Sequence, residues 1–271
     1  MVYNDISDET KLKIAKELNQ PMVAFVSKGE DNESVYNIRY FTTGQEIPLC
    51  GHATVGTTYA LYANQTTAGR IKQFNFTTKS GRKLTANVSD DSLVTLSMPS
   101  ILSTRVHLND RWTQTLIKTL GKDVDESVVH EVCKSSDFAI IVFKDSAKNR
   151  LLELKPDFDA MNKLERNGIK NGIVVTQRAD YRSTGFHFYS RVFLPWVGLN
   201  EDLVCGHAHT QLTPYWTQRL AITGQTLVGK QCSRRPGIVR CRINGDSVDI
   251  SGNAVYTLAH KKARMRHECD L

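Results

Sequence analysis

One tetrapeptide occurs twice in this chain, and its surroundings occur twice with it. Cys50-Gly51-His52-Ala53 and Cys205-Gly206-His207-Ala208 each follow an apolar residue, Leu49 or Val204, and each leads into a stretch of helical character. Ahead of them lie matching extended segments, Ile38-Arg39-Tyr40-Phe41 and Ser190-Arg191-Val192-Phe193, and an acidic residue, Glu46 or Asp202. A chemically rich motif repeated with its context points to two related halves that meet over one site.

The physics of one such turn is specific. A cysteine just ahead of a helix lies near the positive end of the macrodipole, which is expected to lower the thiol pKa. The glycine lets backbone approach a ligand closely. The first N–H groups of the helix have no intrahelical partner and can hold a carboxylate. Two such turns face to face would grip an anionic substrate and place a thiol on each side of one carbon. One thiolate would remove a proton and the other thiol return one. Other readings of the same residues stay open. A buried cysteine can be a small apolar residue, two Cys-x-His pairs are a conceivable zinc set, and a histidine at a helix start can be structural. The last reading applies above all to His209, which belongs to one copy only.

Periodicity and turn residues give the frame. A helix is expected over 7–19, with Ser7 as cap and Leu12, Ile14, Ala15 and Leu18 as its apolar stripe. Strands are expected at 22–26, 36–41, 74–78, 83–88 and 93–98, with a helix from Ala53 to about Ala63. In the second half helices are expected at 112–120, 157–167 and 208–220, the last with Pro214 tolerated only near its first turn. Strands are expected at 138–143, 173–176, 185–193, 225–228, 237–243, 247–250 and 254–258. Strands outnumber helices without strict βαβ alternation, so the class is α+β. The halves divide between Pro99 and Leu108, giving domains of 1–104 and 105–271.

Composition narrows the setting. The 271 residues are 40% hydrophobic and 23% charged, as in a soluble globular protein. No apolar run approaches a membrane span and the N-terminus does not read as a signal peptide, so a cytoplasmic location is expected. Six scattered cysteines argue for reduced thiols, and the N-x-S/T sequons at Asn32, Asn64, Asn75 and Asn87 read as chance. The net charge of +7 owes much to Lys261, Lys262, Arg264, Arg266, Arg234 and Arg235. This tail lacks the interleaved aromatics of a nucleic-acid binder, so no nucleic-acid partner is expected. An anionic small substrate is a simpler reason for the bias.

At these residues the chain resembles the phenazine-biosynthesis F (PhzF-like) family. The matching segments are Arg39-Tyr40-Phe41-Thr42 to Glu46, Pro48-Leu49-Cys50-Gly51-His52-Ala53-Thr54, Ser80-Gly81 and Ser190-Arg191-Val192-Phe193-Leu194-Pro195. Gly198 through His209, Pro214-Tyr215-Trp216 and Gln231-Cys232-Ser233-Arg234-Arg235-Pro236-Gly237 match as well, all in the family's order. The resemblance implies the diaminopimelate-epimerase-like fold: two pseudo-symmetric β-rolls, each around a central helix, with the site in the cleft between. It also implies a cofactor-independent isomerase of biosynthesis or secondary metabolism, usually a homodimer. The family's pocket histidine falls on His52, its pocket aspartate on Asp202 and its anion loop on Cys205-Gly206-His207.

Two departures stand out. The family's catalytic glutamate falls on Met22, whose thioether carries no proton at neutral pH, and Pro21 removes a backbone donor beside it. The opening strand of the family is also absent, so the first roll is expected to lack a strand or to fill part of the gap with residues 1–5. Position 207 is usually small in the family; His207 narrows the pocket and adds a titratable group. Cys50 and Cys205 fall where the fold's epimerases and racemases carry paired thiols. The leading expectation is therefore a proton-transferring isomerase of a small carboxylate-bearing metabolite, needing neither cofactor nor metal. Cys50, Cys205, His52 and Asp202 would be its catalytic residues, and Glu46, Gly51, Ala53, Gly206, His207, Ala208 and Met22 its substrate contacts. Two alternatives are a dehydration, cyclisation or pericyclic enzyme of the same fold, and a non-catalytic ligand- or protein-binding dimer.

Overall fold

The computed structural model describes residues 6–29, 34–65, 70–147, 150–255 and 257. The first half opens with helix α1 (Asp8–Leu18), capped by Ser7, whose hydroxyl accepts from the Thr10 N–H at 3.2 Å. Strands β1 (Val23–Lys28), β2 (Val35–Phe41) and β3 (Glu46–Ile47) run antiparallel in turn. Helix α2 (Gly51–Ala63) then carries the chain to β4 (Gln73–Thr78), which pairs parallel with β2. Strands β5 (Lys83–Val88) and β6 (Val94–Pro99) complete an antiparallel meander.

The second half begins with β7 (Thr104–Val106), α3 (Arg111–Lys118), β8 (Val129–Lys134) and β9 (Phe138–Phe143). Short helices α4 (Arg150–Glu153) and α5 (Phe158–Lys163) cross to β10 (Gly172–Arg178), parallel to β9. From β10 onward the first half is repeated. After α6 (Tyr181–Thr184), β11 (Phe188–Leu194) pairs antiparallel with β10 and with β12 (Leu199–Asp202). Helix α7 (Gly206–Leu220) leads to β13 (Leu227–Gln231), parallel to β11, and β14 (Gly237–Asn244) and β15 (Ser247–Gly252) follow as a meander. Elements β10 to β15 thus reproduce β1 to β6, with α7 in the place of α2.

The halves join where the repeats end. Strands β6 and β15 pair antiparallel, Leu96 opposite Ile250, making one continuous sheet from β1 to β7 among the described residues. The fold is the expected pair of β-rolls, each around its own helix. Val26, Ile38, Phe76 and Leu96 form the first core together with Val239, Cys241, Val248 and Ile250 from the closing strands. In the second roll β9 is buried on both faces. Phe138, Ile140 and Val142 pack on Trp216 and Leu212 of α7, while Ala139, Ile141 and Phe143 pack outward against Leu116, Ile117 and Met161. A strand between two apolar layers reads as a continuous apolar run, as Phe138-Ala139-Ile140-Ile141-Val142-Phe143 does.

Several expectations are corrected. Pro214 lies inside α7 rather than near its first turn. A proline frees the carbonyl four residues back, and here that carbonyl, of Thr210, accepts from the Ile101 N–H at 3.1 Å. The chain connecting the halves therefore supplies the donor that the proline lacks. Strand β8 was not evident in its polar sequence. Helix α5 ends at Lys163 and not at Asn167, because Leu164 turns to extended backbone. The strand expected from Gly185 starts at Phe188, since Gly185 is the left-handed cap (φ 74°) of α6. Residues 254–255 are not in a strand, and Tyr256 and Leu258 lie outside the described residues.

Candidate active site

The two Cys-Gly-His-Ala turns meet. Cys50 and Cys205 are the N-cap residues of α2 and α7, both in extended backbone and both 6% exposed. A Cβ built on Gly51 would lie 3.5 Å from the Gly206 Cα, and one on Gly206 would lie 3.7 Å from the Gly51 Cα. The helices thus confront each other N-terminus to N-terminus, with Met98 of β6 beneath them. This is a direct consequence of the pseudo-symmetry: each helix starts at the same place in its roll, and the rolls join along β6 and β15.

Local hydrogen bonds repeat as well. Thr54 and His209 both lie four residues after their cysteine. Thr54 Oγ1 donates to the Cys50 carbonyl at 2.8 Å, and His209 Nδ1–H donates to the Cys205 carbonyl at 2.7 Å. His209 is the counterpart of a threonine and is structural in position: it is fully buried, and burial pushes its imidazole down to about 4. Its Nε2 is buried without a partner among the described residues. Counting back from each cysteine also changes one pairing. Glu46 is matched by Glu201, not by Asp202. Both bind the arginine of the preceding strand with two oxygens, Glu46 with Arg39 and Glu201 with Arg191 at 2.7 and 3.0 Å. Glu46 also takes Lys79 at 3.0 Å. Asp202 has no acidic counterpart; Ile47 stands at that place.

The second turn has a brace that sequence reading did not single out. Gln231, the last residue of β13, accepts from the Cys205 N–H at 2.8 Å and donates to the Asp202 carbonyl at 2.7 Å. Ser233 Oγ lies 2.8 Å from the Leu203 and Arg235 carbonyls. Thr78 holds the corresponding position in the first half, and it bonds within its own turn to Ser80 and Arg82. The only sequence signal for Gln231 is that it opens the segment 231–237 shared with the family.

Burial overrides the helix dipole at both thiols. Burial pushes Cys50 up to about 12, against the lowering effect of the Ala53 and His52 N–H groups, and the Asp202 charge adds to the rise. Cys205 is also raised well above the ordinary thiol range, by burial first and then by Asp202, which also hydrogen-bonds it. The expected lowering of thiol pKa is therefore reversed in this arrangement: removal from water outweighs the helix N-terminus. The Cys50 Sγ lies 3.5 Å from His52 Nε2 and 3.6 Å from Nδ1. His207, the counterpart of His52, instead places Nε2 2.9 Å from Asp137 Oδ2 in the β8–β9 turn.

The remaining expected residues divide between two places. Asp202, Gly206 and Ala208 adjoin the seam of the two turns. Met22 and Ala53 line a groove of about 410 Å³ between β1 and α2, with Gly56, Thr57, Ala60 and Leu61, and Ala53 lies two residues along α2 from Gly51 of the seam. Among the described residues no helix is long and apolar enough to cross a membrane.

Comparison with known proteins accounts for this layout. The family model for phenazine biosynthesis-like proteins matches residues 1–260. This chain belongs to that family. It is 36% identical to an uncharacterised isomerase of Pseudomonas aeruginosa over 254 residues, 94% of this chain and 87% of the relative. A solved phenazine-biosynthesis PhzC/PhzF protein of Clostridium difficile superposes with a TM-score of 0.78 at 29% identity, covering 96% of this chain and 90% of the other. A probable proline racemase of Agrobacterium radiobacter, solved with bound carbonate, shares the fold alone. Its TM-score is 0.53 at 12% identity, with 91% of this chain and 79% of the other covered. The PhzF-family chain therefore has an isomerase-like fold of two opposed rolls.

Proposed function

We propose that this PhzF-family chain is a cofactor-independent isomerase that moves a proton on a small carboxylate-bearing metabolite, at the seam between its halves. The observation that carries this reading is the meeting of α2 and α7 at Gly51 and Gly206. Two helix N-termini aimed at one place favour an anion there. Cys50, Cys205, His52 and Asp202 are the proposed catalytic residues, and Gly51, Ala53, Gly206, His207 and Ala208 the proposed substrate contacts. Met22, at the place of the family's glutamate, would contribute shape and no proton. Glu46, held by Arg39, would contribute to the site by fixing the strand that precedes Cys50.

The thiols enter this mechanism as acids. With Cys50 pushed up to about 12, a resting thiolate at neutral pH costs on the order of 7 kcal/mol. A thiol that donates to a developing carbanion, backed by His52 or Asp202, avoids that cost. A second reading is favoured by the same elevation together with Met22: a dehydration, cyclisation or pericyclic step directed by shape and hydrogen bonding, without a proton shuttle. The proposed setting is a cytoplasmic homodimer serving secondary metabolism, with domains dividing near 104/105.

Solvent deuterium incorporation into small α-amino and β,γ-unsaturated carboxylates separates these readings. The isomerase reading expects incorporation by the wild type and its loss in Cys50→Ser/Cys205→Ser. Equal incorporation by both proteins removes the thiols from the mechanism.

A further inference from the structure

The seam holds a carboxylate–imidazole pair that has no counterpart across the pseudo-symmetry. His207 is the second residue of α7, and its Nε2 lies 2.9 Å from Asp137 Oδ2. Their side chains are 29% and 19% exposed, so the pair is shielded yet reachable. A carboxylate accepts, so Nε2 carries the proton and Nδ1 keeps its lone pair. The ring stands edge-on to Phe138, with centroids 5.2 Å apart. No other hydrogen bond to the ring is present among the described residues.

Asp137 is held for this role. Ser135 Oγ accepts from the Asp137 N–H at 3.0 Å and from the Phe138 N–H at 3.2 Å, and it donates to Gln211 Oε1 of α7 at 2.9 Å. The Asp137 carbonyl accepts from the Asn171 N–H at 3.0 Å. The turn that presents Asp137 is thereby pinned to the helix that presents His207, four residues from the imidazole. The exposed Arg82, from the β4–β5 turn of the other half, acts on the same ring with its charge. The charged groups that act on His207 are thus Asp137, in direct contact, and Arg82, through its charge alone.

We propose that His207 is the base of this site, with Asp137 as its positioning residue and Arg82 as a cation for the substrate carboxylate. This rests on the isomerase reading above. Nδ1 takes a proton from a carbon bonded to or conjugated with the carboxylate. The C–H electron pair stays on the substrate as a delocalised enolate, and Asp137 stabilises the imidazolium. That proton, or a solvent proton exchanged for it on the imidazolium, then returns from Nδ1 to the same or a conjugated carbon, leaving the imidazole neutral. Burial, offset in part by Asp137, lowers the pKa of His207, so the free base is the form present at neutral pH.

The test uses the full chain labelled with ¹⁵N, and long-range ¹H–¹⁵N spectra of its imidazoles against pH. The expected result is the Nε2–H tautomer at His207. Its titration midpoint should move down in Asp137→Ala and in the isosteric Asp137→Asn, and up in Arg82→Ala. In D2O with L-glutamate, L-proline and but-3-enoate, His207→Ala should lower deuterium incorporation by about 10²- to 10⁴-fold. Asp137→Asn should lower it less and displace its pH profile. An Nδ1–H tautomer, or a midpoint indifferent to both Asp137 variants, overturns the pair whatever the activity. If the spectra are as expected but the wild type exchanges none of the three probes, the base role falls together with the isomerase reading.

Discussion

His52 and His207 hold the same position in two copies of one turn, and they meet different partners. His52 lies against the thiol of its own turn, while His207 is bonded to Asp137 from the β8–β9 turn. The contrast extends to the helices. Trp216 of α7 is fully buried, stacked on Phe188 with centroids 5.8 Å apart, and bonded through Nε1 to Thr176. Leu61, at the same place in α2, lines an open groove. Both differences have one source. Strand β9 covers β10 and α7 in the second roll, whereas among the described residues β1 ends the sheet in the first. Repetition supplies two opposed helix N-termini, and the unrepeated strands make the seam between them chemically asymmetric.

The largest effect expected from this contrast is in stability. Trp216→Ala should cost about 3–5 kcal/mol in urea unfolding, and Leu61→Ala only about 1 kcal/mol, because the groove already admits water. Equal losses would mean that the first roll is as closely covered as the second. Next comes the brace. Gln231→Ala leaves the Cys205 N–H and the Asp202 carbonyl without their partner, and should cost about 1–3 kcal/mol. Thr78→Ala, its counterpart in the first half, should cost about 1 kcal/mol or less.

A smaller effect concerns acid. Arg39 first, then Lys79, lowers the pKa of Glu46 in the folded chain, against burial. A carboxylate depressed on folding stabilises above its unfolded pKa, and that stability is lost as pH falls through the folded pKa. Arg39→Ala should therefore lose less stability than wild type on acidification below about pH 4.5. Parallel pH profiles of the two proteins would remove the linkage. Smallest is Gly51→Ala. Its Cβ would meet Gly206 at 3.5 Å, an ordinary contact, so the change in stability should stay within about 1 kcal/mol. A loss above about 2 kcal/mol would show that the helices approach more closely than this.

Much of this layout was legible in the sequence, because the repeated turn carries its own geometry. A cysteine before a glycine at a helix start fixes where each helix begins, and two copies fix that the starts are equivalent. Periodicity placed α1, β5 and β9 to within a residue or two. What escaped is non-local. Pro214 is tolerated in mid-helix only because Ile101, more than a hundred residues earlier, supplies a donor. Asp137 and Gln231 sit far along the chain from the turns they serve; nothing around Asp137 signals its partner, and the matching segment that holds Gln231 does not say which turn it braces. The thiol pKa was read from the helix dipole, a local feature, and it is decided by burial, a property of the whole fold. Reading Glu46 and Asp202 as equivalent acids ahead of a cysteine misses the spacing: four residues before each cysteine stand Glu46 and Glu201, and their shared arginine contact bears that alignment out.

The claim that the two turns close on each other to form one buried seam is tested most directly by the pH dependence of alkylation at Cys50 and Cys205, read site by site by mass spectrometry. Both thiols are predicted to titrate well above the ordinary value of about 8.5, Cys50 near 12. A midpoint at or below the ordinary value for either cysteine would contradict the account.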